Sequence, residues 1–271
     1  MMNTIDKNLN EYLKVAIDAA FAGGSILRQY WGKLQGYELK SNQGDLVTEA
    51  DKKSELEILK IISTAYSGHA FLGEESGLHE GFLKEKEFLW VIDPLDGTTN
   101  YAHQYPLVAV SIGLLFQGNP VVGVVYNPIF NELFCAVKGS GATLNDIPIK
   151  VSKVSALNQS LLATGFAYDR LETLDTNYLE FNHLTSLTHG VRRGGSAAID
   201  LAYVAAGRLD GFWERGLKIW DIAAGIVLVE EAGGKISAYD ETPLIIETGR
   251  ILATNGLIHT AISQELQSLR K

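Results

Sequence analysis

The first thirty residues place apolar side chains at every third or fourth position, with polar residues between them. Leu9, Leu13 and Ile17 show this spacing, which puts apolar side chains on one face of an α-helix. The pattern predicts a long amphipathic helix that ends near Tyr30. The pair Gly23-Gly24 is expected to weaken its middle, because glycine is a poor helix former.

A second helix is predicted after the polar stretch that follows. It begins at Asp51 and ends near Gly68, with Leu56, Leu59 and Ile62 set among charged residues.

Between residues 88 and 137 the pattern changes to short β-branched or aromatic runs. These runs are FLWVID, VAVSIGLLF, VVGVVY and ELFCAV, and they are separated by Gly, Asn and Pro. Runs of this kind predict a sheet that is largely antiparallel.

The second half of the chain alternates strands with helices. Its pattern predicts strands at about 160–164, GFWE and RILATN, and helices that begin near Ser196, Asp221 and Leu257. No repeat of about 20 to 50 residues is visible and no Pro/Ser-rich linker divides the chain. We therefore predict one α/β unit of stacked helix and sheet layers over residues 1–271.

Composition supports a globular protein and disfavours broad nucleic-acid binding. Of 271 residues, 46% are hydrophobic and 20% are charged, so apolar material is ample and disorder is not expected. Subtracting 32 acidic from 23 basic residues gives −9, a charge that repels phosphate backbones and anionic membranes. The same excess is compatible with carboxylates gathered around a metal.

The single cysteine excludes an internal disulfide framework and a multi-cysteine metal site. Cys135 lies in an apolar run and is predicted to be a small buried hydrophobe. The start of the chain has no apolar signal-peptide core, and nowhere are 18 apolar residues consecutive. A cytoplasmic protein is expected.

Two carboxylates directly follow the apolar run WVI. Asp93 and Asp96 are three residues apart, Pro94 stiffens the turn between them, and Gly97 allows a close backbone approach. Backbone N–H groups and the Thr98 hydroxyl after this turn could bind an anion beside a cation held by the acids. The alternative is an Asx-turn in which Asp96 caps the next element, and it is favoured for an isolated motif.

Three further acidic positions have equally plain alternatives. The pair Glu74-Glu75 follows an apolar run and could be a solvated loop, although Glu is unusual at a strand end. Asp51 and Asp221 each lie at a predicted helix start, where N-capping is a sufficient explanation. Taken one at a time, each position is explained by structure alone.

These acids would behave differently if the fold brought them together. Two unit charges ~4 Å apart repel by about 4 kcal/mol at an effective dielectric constant near 20, so clustered carboxylates need cations or raised pKa values. A cluster of oxygen ligands without Cys or His selects hard ions such as Mg²⁺. Such a site is suited to phosphate hydrolysis.

Several segments resemble the signatures of the inositol monophosphatase family, in the same order and at the same intervals. They are GEESG at 73–77, WVIDPLDGTTNY at 90–101, WDIAAG at 220–225 and EEAGG at 230–234. The resemblance extends to DLVTEAD at 45–51 and to RRGGSAAIDLAYVAAGRLDGFWE at 192–214, and so covers nearly the whole chain.

The resemblance implies an αβαβα layered sandwich with largely antiparallel sheets, shared with the fructose-1,6-bisphosphatases. It implies one phosphatase unit with an N-terminal subdomain of about 1–150, which carries most metal ligands, and a C-terminal subdomain of about 151–271 that completes the site. It also implies a magnesium-dependent, lithium-sensitive enzyme that forms homodimers.

Metal ligands are carried over from the family by position. Glu74, Asp93 and the carbonyl group of Leu95 would hold the first metal, while Asp93, Asp96 and Asp221 would hold the second. Two or three Mg²⁺ per site are implied.

Catalytic roles follow from the same resemblance. Thr98 matches the residue that works with Glu74 to position and activate the attacking water, and Asp51 matches an acid that orients Thr98. The implied mechanism is a direct in-line attack by water without a phosphoenzyme. It requires no histidine, so His103, close to the motif, is expected to have a surface or packing role.

Substrate contacts are implied for a further group of residues. Glu214 falls where the family binds an inositol hydroxyl group, and Arg192 matches a substrate-side arginine of bacterial members. Lys40 falls near a site lysine. The remaining substrate-binding positions are Gly97 and Thr98 at the phosphate, Gly195, Ser196 and Ala197 in the pocket wall, and Asp221.

The sequence DGTTNY favours the inositol branch, because relatives that act on 3′-phosphoadenosine 5′-phosphate or histidinol phosphate usually have Lys after DGT. The favoured substrate is therefore myo-inositol 1-phosphate. Fructose-1,6-bisphosphate, 3′-phosphoadenosine 5′-phosphate and NADP(H) remain alternatives with the same metal ligands.

A regulatory or protein-binding role with secondary phosphatase activity is a hypothesis of another class. The presence of every metal and water-activating residue favours an enzyme, because a scaffold would not need them. A binding role could coexist with catalysis.

Overall fold

The computed structural model describes residues 2–34, 36, 38–39, 46–78, 87–170 and 172–269. Within these ranges the helices are α1 (Met2–Tyr30), α2 (Glu49–Ala65), α3 (Thr98–Ala102), α4 (Tyr178–Leu187), α5 (Ala197–Ala205), α6 (Ile219–Glu231) and α7 (His259–Ser268). The strands are β1 (Glu38–Leu39), β2 (Leu46–Val47), β3 (Ala70–Gly73), β4 (Gly77–Leu78), β5 (Phe88–Asp96), β6 (Ala109–Phe116), β7 (Asn119–Asn127), β8 (Glu132–Val137), β9 (Gly141–Leu144), β10 (Ile147–Pro148), β11 (Leu161–Thr164), β12 (Gly190–Arg192), β13 (Gly211–Glu214), β14 (Lys235–Ser237) and β15 (Ile251–Thr254).

The strands form two large sheets and a short β1–β2 ribbon. The first sheet has eight strands in the order β10-β9-β8-β7-β6-β5-β3-β4, and all its neighbours are antiparallel except β3 and β5. The second has five strands in the order β12-β11-β13-β15-β14, in which β11 runs parallel to β12 and β13. The antiparallel sheet predicted between residues 88 and 137 is confirmed as β5 to β8.

Side chains alternate across each sheet and bury both of its faces. On β7, Val124 joins the core under α1 and α2, whereas Val125 joins the core around α5 and α6. On β13, Phe212 faces α5 and α6, and Trp213 joins the core with α4 and α7. Helices and sheets therefore alternate in five layers, which confirms the predicted αβαβα sandwich.

Helix α1 ends at Tyr30 as predicted, but its glycine pair does not interrupt it. A Cβ atom on Gly23 would lie 2.7 Å from Ile58 Cδ1, and one on Gly24 would lie 2.5 Å from the ring of Tyr126. The two glycines let α1 pack closely against α2 and β7, and this packing stabilises a segment of weak intrinsic propensity.

Other element boundaries shift by small amounts. Helix α6 begins at Ile219, two residues before Asp221, and α7 begins at His259 rather than Leu257. Helix α5 begins after Ser196, whose hydroxyl accepts a hydrogen bond from Ile199 N at 3.3 Å. The pattern did not predict α4, β12 or β14. Across the part of the chain that the structure describes, none of the helices combines the length and apolar character needed to cross a membrane.

Candidate metal centre and active site

Strand β5 delivers two carboxylates to one cavity. Trp90, Val91 and Ile92 are completely buried, and they anchor the strand between two layers of helices. The pairing with β6 shifts register between Asp93 and Asp96, and the Asp93 Oδ1 atom accepts a 2.9 Å hydrogen bond from the N–H group of residue 95. This bulge lets both carboxylates face the same space, which strict alternation along a strand would prevent for residues three apart.

Asp93, Asp96 and Asp221 each offer a carboxylate oxygen within 4.8 Å of the others, and they form the one such acidic group among the described residues. Asp221 comes from the first turn of α6 and also lines the cavity. Glu74, directly after β3, lines the same cavity, and its N–H group donates to Ile92 O at 3.0 Å. The fold thus brings together four of the acids that the sequence singled out, namely Glu74, Asp93, Asp96 and Asp221.

Burial and mutual repulsion shift the titration of these acids. Burial raises the pKa of Asp93 well above its usual range, and the charge of Glu74 raises it further. Burial, followed by the charge of Asp96, likewise raises the pKa of Asp221 well above the usual range. The cluster is therefore costly to ionise without a counter-cation.

Asp96 is also held by the second half of the chain. Its Oδ2 atom accepts hydrogen bonds from Ser196 Oγ at 2.6 Å and from Ala198 N at 2.7 Å, both at the start of α5. Burial raises its pKa to about 6, although these bonds oppose the shift. The alternative interpretation, in which Asp96 caps the next helix, was wrong. The N-cap residue of α3 is Gly97, and no side chain caps that helix.

The donor set fits a hard divalent cation. The converging ligand atoms are carboxylate oxygens, and among the described residues neither a thiol nor an imidazole group lines the cavity. Oxygen ligands of this kind suit Mg²⁺, Mn²⁺ or Ca²⁺ rather than a soft metal ion. A bound cation would also offset the mutual repulsion that adds to the effect of burial on the pKa values of Asp93 and Asp221.

Thr98 is fixed beside the acid cluster by two acceptors. Its hydroxyl group lies 2.9 Å from Asp51 Oδ1 and 3.0 Å from the carbonyl oxygen of Leu95. Asp51 is completely buried behind Thr98, and burial raises its pKa to about 6. Asp51 therefore reaches the cavity only through Thr98.

The two halves of the chain come close together at Gly97. Its φ of 93° lies in the left-handed region, and a Cβ atom there would lie 2.9 Å from Leu107 O and 3.3 Å from Gly195 O. Glycine is required both for this conformation and for the contact.

A cavity of about 230 Å³ extends from the acid cluster toward the second sheet. Its far wall includes Gly195, Ser196, Ala197 and Glu214. Glu214 is 8% exposed, and burial raises its pKa to about 8. A Cβ atom on Gly165 would lie 2.2 Å from the Glu214 carboxyl oxygens, so this wall leaves no room for a larger residue at 165.

Residues 8–271 match the model of the inositol monophosphatase family. The chain belongs to that family. It is 58% identical over 259 residues to the inositol-1-monophosphatase of Synechocystis sp., covering 96% of this chain and 90% of the relative. It is also 42% identical to the Nus factor SuhB of Pseudomonas aeruginosa over 259 residues, covering 94% of this chain and 95% of that protein.

The solved structure of inositol monophosphatase from Anabaena (Nostoc) sp. PCC 7120 is similar to this chain throughout. The TM-score is 0.89 at 56% sequence identity, covering 96% of this chain and 97% of that one. Membership in the inositol monophosphatase family makes the protein an enzyme, a phosphatase.

Two positions carried over from the family, Arg192 and Lys40, are not among the residues that line the cavity in the described structure. Arg192 is the exposed last residue of β12 and does not line the cavity, whereas its neighbour Arg193 does. Arg193 lies just after the end of β12, and two residues further on Gly195 also lines the cavity. Lys40 lies outside the described residues.

The expectations for the lone cysteine and for His103 agree with the structure. Cys135 is buried, and burial raises the pKa of its thiol to about 12, so it does not resemble a nucleophile. His103 follows α3, is exposed and does not line the cavity.

Sequence reasoning missed several residues of this phosphatase cavity. Arg193, Asp200, Tyr168 and Lys218 all line it. Asp200 had left a signal, since it is the one charged residue in the apolar run AAIDLAYVAAG. It lies 4% exposed, and burial raises its pKa well above the usual range. Tyr168 belongs to a loop whose position no local pattern predicts.

Proposed function

We propose that this phosphatase hydrolyses myo-inositol 1-phosphate to inositol and phosphate in the presence of Mg²⁺. The observation that carries the proposal is the approach of Asp93, Asp96 and Asp221 to within 4.8 Å of one another. The cavity that contains them also reaches Glu214, a group suited to binding a hydroxyl. The family and its named relatives support the same reaction class.

The metal ligands would divide into two sets. Glu74, Asp93 and the carbonyl group of Leu95 would hold one Mg²⁺, and Asp93, Asp96 and Asp221 would hold another. When bound, Mg²⁺ supplies Lewis-acid stabilisation of the phosphoryl and leaving oxygens and lowers the pKa of water. Asp93, which is 2% exposed, would belong to both sets.

Thr98 and Glu74 would orient the attacking water. The single hydroxyl proton of Thr98 is committed to Asp51 and to the carbonyl group of Leu95, so the lone pairs of Oγ1 remain to accept a hydrogen bond from water. Glu74, on the same cavity wall, would accept the proton that this water releases.

The substrate would lie between the acid cluster and the far wall of the cavity. The backbone N–H groups of Gly97 and Thr98 would donate to the phosphate. Because burial raises the pKa of Glu214 to about 8, this group holds its proton at neutral pH and can donate a hydrogen bond to an inositol hydroxyl as well as accept one. Gly195, Ser196 and Ala197 would shape the pocket around the ring.

A substrate panel tests this proposal. Phosphate release from myo-inositol 1-phosphate, fructose-1,6-bisphosphate, 3′-phosphoadenosine 5′-phosphate and NADP⁺ is measured with and without Mg²⁺, for the wild type and Asp96→Asn. We expect the inositol ester to be preferred, Asp96→Asn to be nearly inactive, and millimolar lithium to inhibit. An Asp96→Asn variant with wild-type activity would overturn the metal assignment, and preference for another ester would overturn the substrate.

A regulatory role is a second candidate, favoured by the relatives named Nus factor SuhB at 40–42% identity. The test is replacement of the P. aeruginosa protein by this chain in a Nus-factor assay, with the wild type and Asp96→Asn. If both the wild type and Asp96→Asn can replace the P. aeruginosa protein, the role is independent of catalysis. If neither can, this candidate function is removed.

Three further sequence-based predictions belong with the proposal: a single phosphatase unit over residues 1–271, a homodimer and a cytoplasmic location. Limited proteolysis, multi-angle light scattering and cell fractionation test them in turn. Separable stable fragments would contradict the single unit. A monomer would contradict the homodimer, and a membrane-bound pool would contradict the cytoplasmic location.

A further inference from the structure

Glu55 on α2 binds the turn that carries Glu74. Its Oε2 atom accepts a 2.9 Å hydrogen bond from the N–H group of Glu75, and its Oε1 atom accepts a 2.8 Å bond from the N–H group of Ser76. The side chain is 3% exposed and does not line the cavity. Each carboxylate oxygen is thus committed to one backbone donor of this turn.

The same carboxylate presses against the residue before Glu74. A Cβ atom on Gly73 would lie 2.6 to 2.8 Å from the carboxylate atoms of Glu55. On the other side, the N–H group of Glu74 donates to Ile92 O at 3.0 Å, one residue before Asp93. The turn is therefore fixed between α2 and β5, and Glu74 has little freedom relative to Asp93.

One face of α2 contacts three segments of the proposed metal site. Asp51 and Glu55 are four residues apart, which places them on the same face of a helix. Asp51 accepts from Thr98, and Ser54 Oγ donates to Pro94 O at 3.1 Å, next to Asp93. Of these three contacts, only that of Glu55 reaches the turn of Glu74.

We propose that Glu55 is a positioning residue of the metal site, which sets the affinity for Mg²⁺ by fixing the turn of Glu74. This inference rests on the proposed metal-dependent function. Glu55 touches neither metal nor substrate, so its loss weakens metal binding and leaves the chemical step intact once metal saturates the site. Groups that orient metal ligands typically change metal affinity by about 10- to 100-fold when they are mutated.

Glu55→Gln tests the proposal because it keeps the size of the side chain. One oxygen becomes an NH₂ group that faces a backbone N–H group, so one hydrogen bond is lost and two donors oppose each other. Glu57→Gln is the matched control, since Glu57 lies on the same helix and its side chain is 38% exposed. Mg²⁺ affinity is measured by calorimetry on the substrate-free protein, and the Mg²⁺ dependence of phosphate release is measured separately.

We expect Glu55→Gln to raise the Mg²⁺ dissociation constant and half-saturating Mg²⁺ concentration by about 10- to 100-fold, with kcat at saturating Mg²⁺ within about threefold of the wild type. Glu57→Gln should leave all three unchanged. If Glu55→Gln lowers the melting temperature but leaves the Mg²⁺ affinity unchanged, the residue is only a structural anchor and the proposal is overturned.

Gly73→Ala perturbs the same contact from the other side and decides the matter if Glu55→Gln does not fold. It should weaken Mg²⁺ binding in the same way, and an unchanged affinity would overturn the proposal. A wild-type protein that binds Mg²⁺ but releases no phosphate would overturn the proposed function alone. A wild type that binds no Mg²⁺ would overturn both.

Discussion

The hydroxyl group of Thr98 donates a 2.9 Å hydrogen bond to Asp51 Oδ1, across 47 positions of sequence. The other oxygen of Asp51 accepts from the N–H group of Thr48 at 2.8 Å and so caps α2. From the sequence, capping of the helix and support of the active site were alternative roles for Asp51. The structure assigns one carboxylate oxygen to each.

Asp51→Asn should lower kcat by about 10- to 100-fold with little change in KM. The Asn oxygen must remain on the N–H group of Thr48, so its NH₂ group faces Thr98 and occupies a lone pair that the attacking water needs. Steady-state kinetics at saturating Mg²⁺ measure the effect, and Thr98→Ser, which keeps the hydroxyl group, is the control. A raised KM with unchanged kcat would contradict the assigned role.

Asp93→Asn should stabilise the protein in a chelator and abolish the stabilisation by Mg²⁺. A carboxyl group whose folded pKa is raised stabilises the fold at low pH and loses that contribution as pH rises, so at pH 7.5 the Asp93 carboxyl group destabilises the fold without metal. We expect a gain of at least ~2–4 °C, which corresponds to about 1 kcal/mol in a protein of this size.

Thermal melts with chelator and with Mg²⁺ measure this effect, and Asp18→Asn, at an exposed position on α1, is the control. If Asp93→Asn has a lower melting temperature than the wild type in chelator, the Asp93 carboxyl group does not destabilise the metal-free fold and the prediction is wrong.

The stability gained by Glu214→Gln should increase with pH. Below about pH 4.5, the ordinary pKa of Glu, both folded and unfolded states hold the proton, and the two proteins should melt alike. Between that value and the folded pKa of about 8 only the folded state keeps the proton, so wild-type stability falls relative to the variant. Above about pH 8 the difference should level off.

Melting temperatures in chelator from pH 4.5 to 9 give this difference curve, with Glu57→Gln as the reference. A curve that is flat, or that falls with pH, would show that Glu214 ionises normally in the fold.

Gly97→Ala should destabilise the protein more than Gly118→Ala and should also abolish activity. Both glycines have positive φ, so alanine costs about 1–2 kcal/mol at either site. Only at Gly97 would the new Cβ atom also meet backbone, 2.9 Å from Leu107 O, whereas nothing lies within 4 Å of it at Gly118. If Gly97→Ala and Gly118→Ala have equal melting temperatures and equal activities, the close contact at Gly97 can accommodate a Cβ atom and the prediction is wrong.

Local patterns predicted much of the layered fold. The spacing of Leu9 and Leu13 predicted α1, and the β-branched runs from Phe88 to Val137 predicted β5 to β8. Helix α4 was missed because its apolar residues do not form a strong stripe and its start at Tyr178 has no side-chain cap. Its position is fixed by packing against β12 and not by its own sequence.

The candidate site was predictable where it lies on a continuous motif. Asp93, Asp96 and Thr98 belong to one turn, and the resemblance to the inositol monophosphatases added the assignment of Glu74 and Asp221 as metal ligands. Arg193 was not predicted in place of Arg192, because only the three-dimensional course of the chain at the end of β12 decides which arginine faces the cavity. Glu55 was not predicted either, since an acidic residue in an amphipathic helix looks like an ordinary surface position.

The sequence by itself determined which residue types follow each strand and helix, and therefore the chemistry available at their ends. Only the tertiary structure decided that Asp221 approaches Asp93 and Asp96, and that Glu55 binds the turn of Glu74. Helix and strand preferences act over a few neighbouring residues, whereas distances between remote residues are set by the packing of whole layers. The charge of −9 was visible in the chain, but the concentration of six acids around one cavity is a property of the fold.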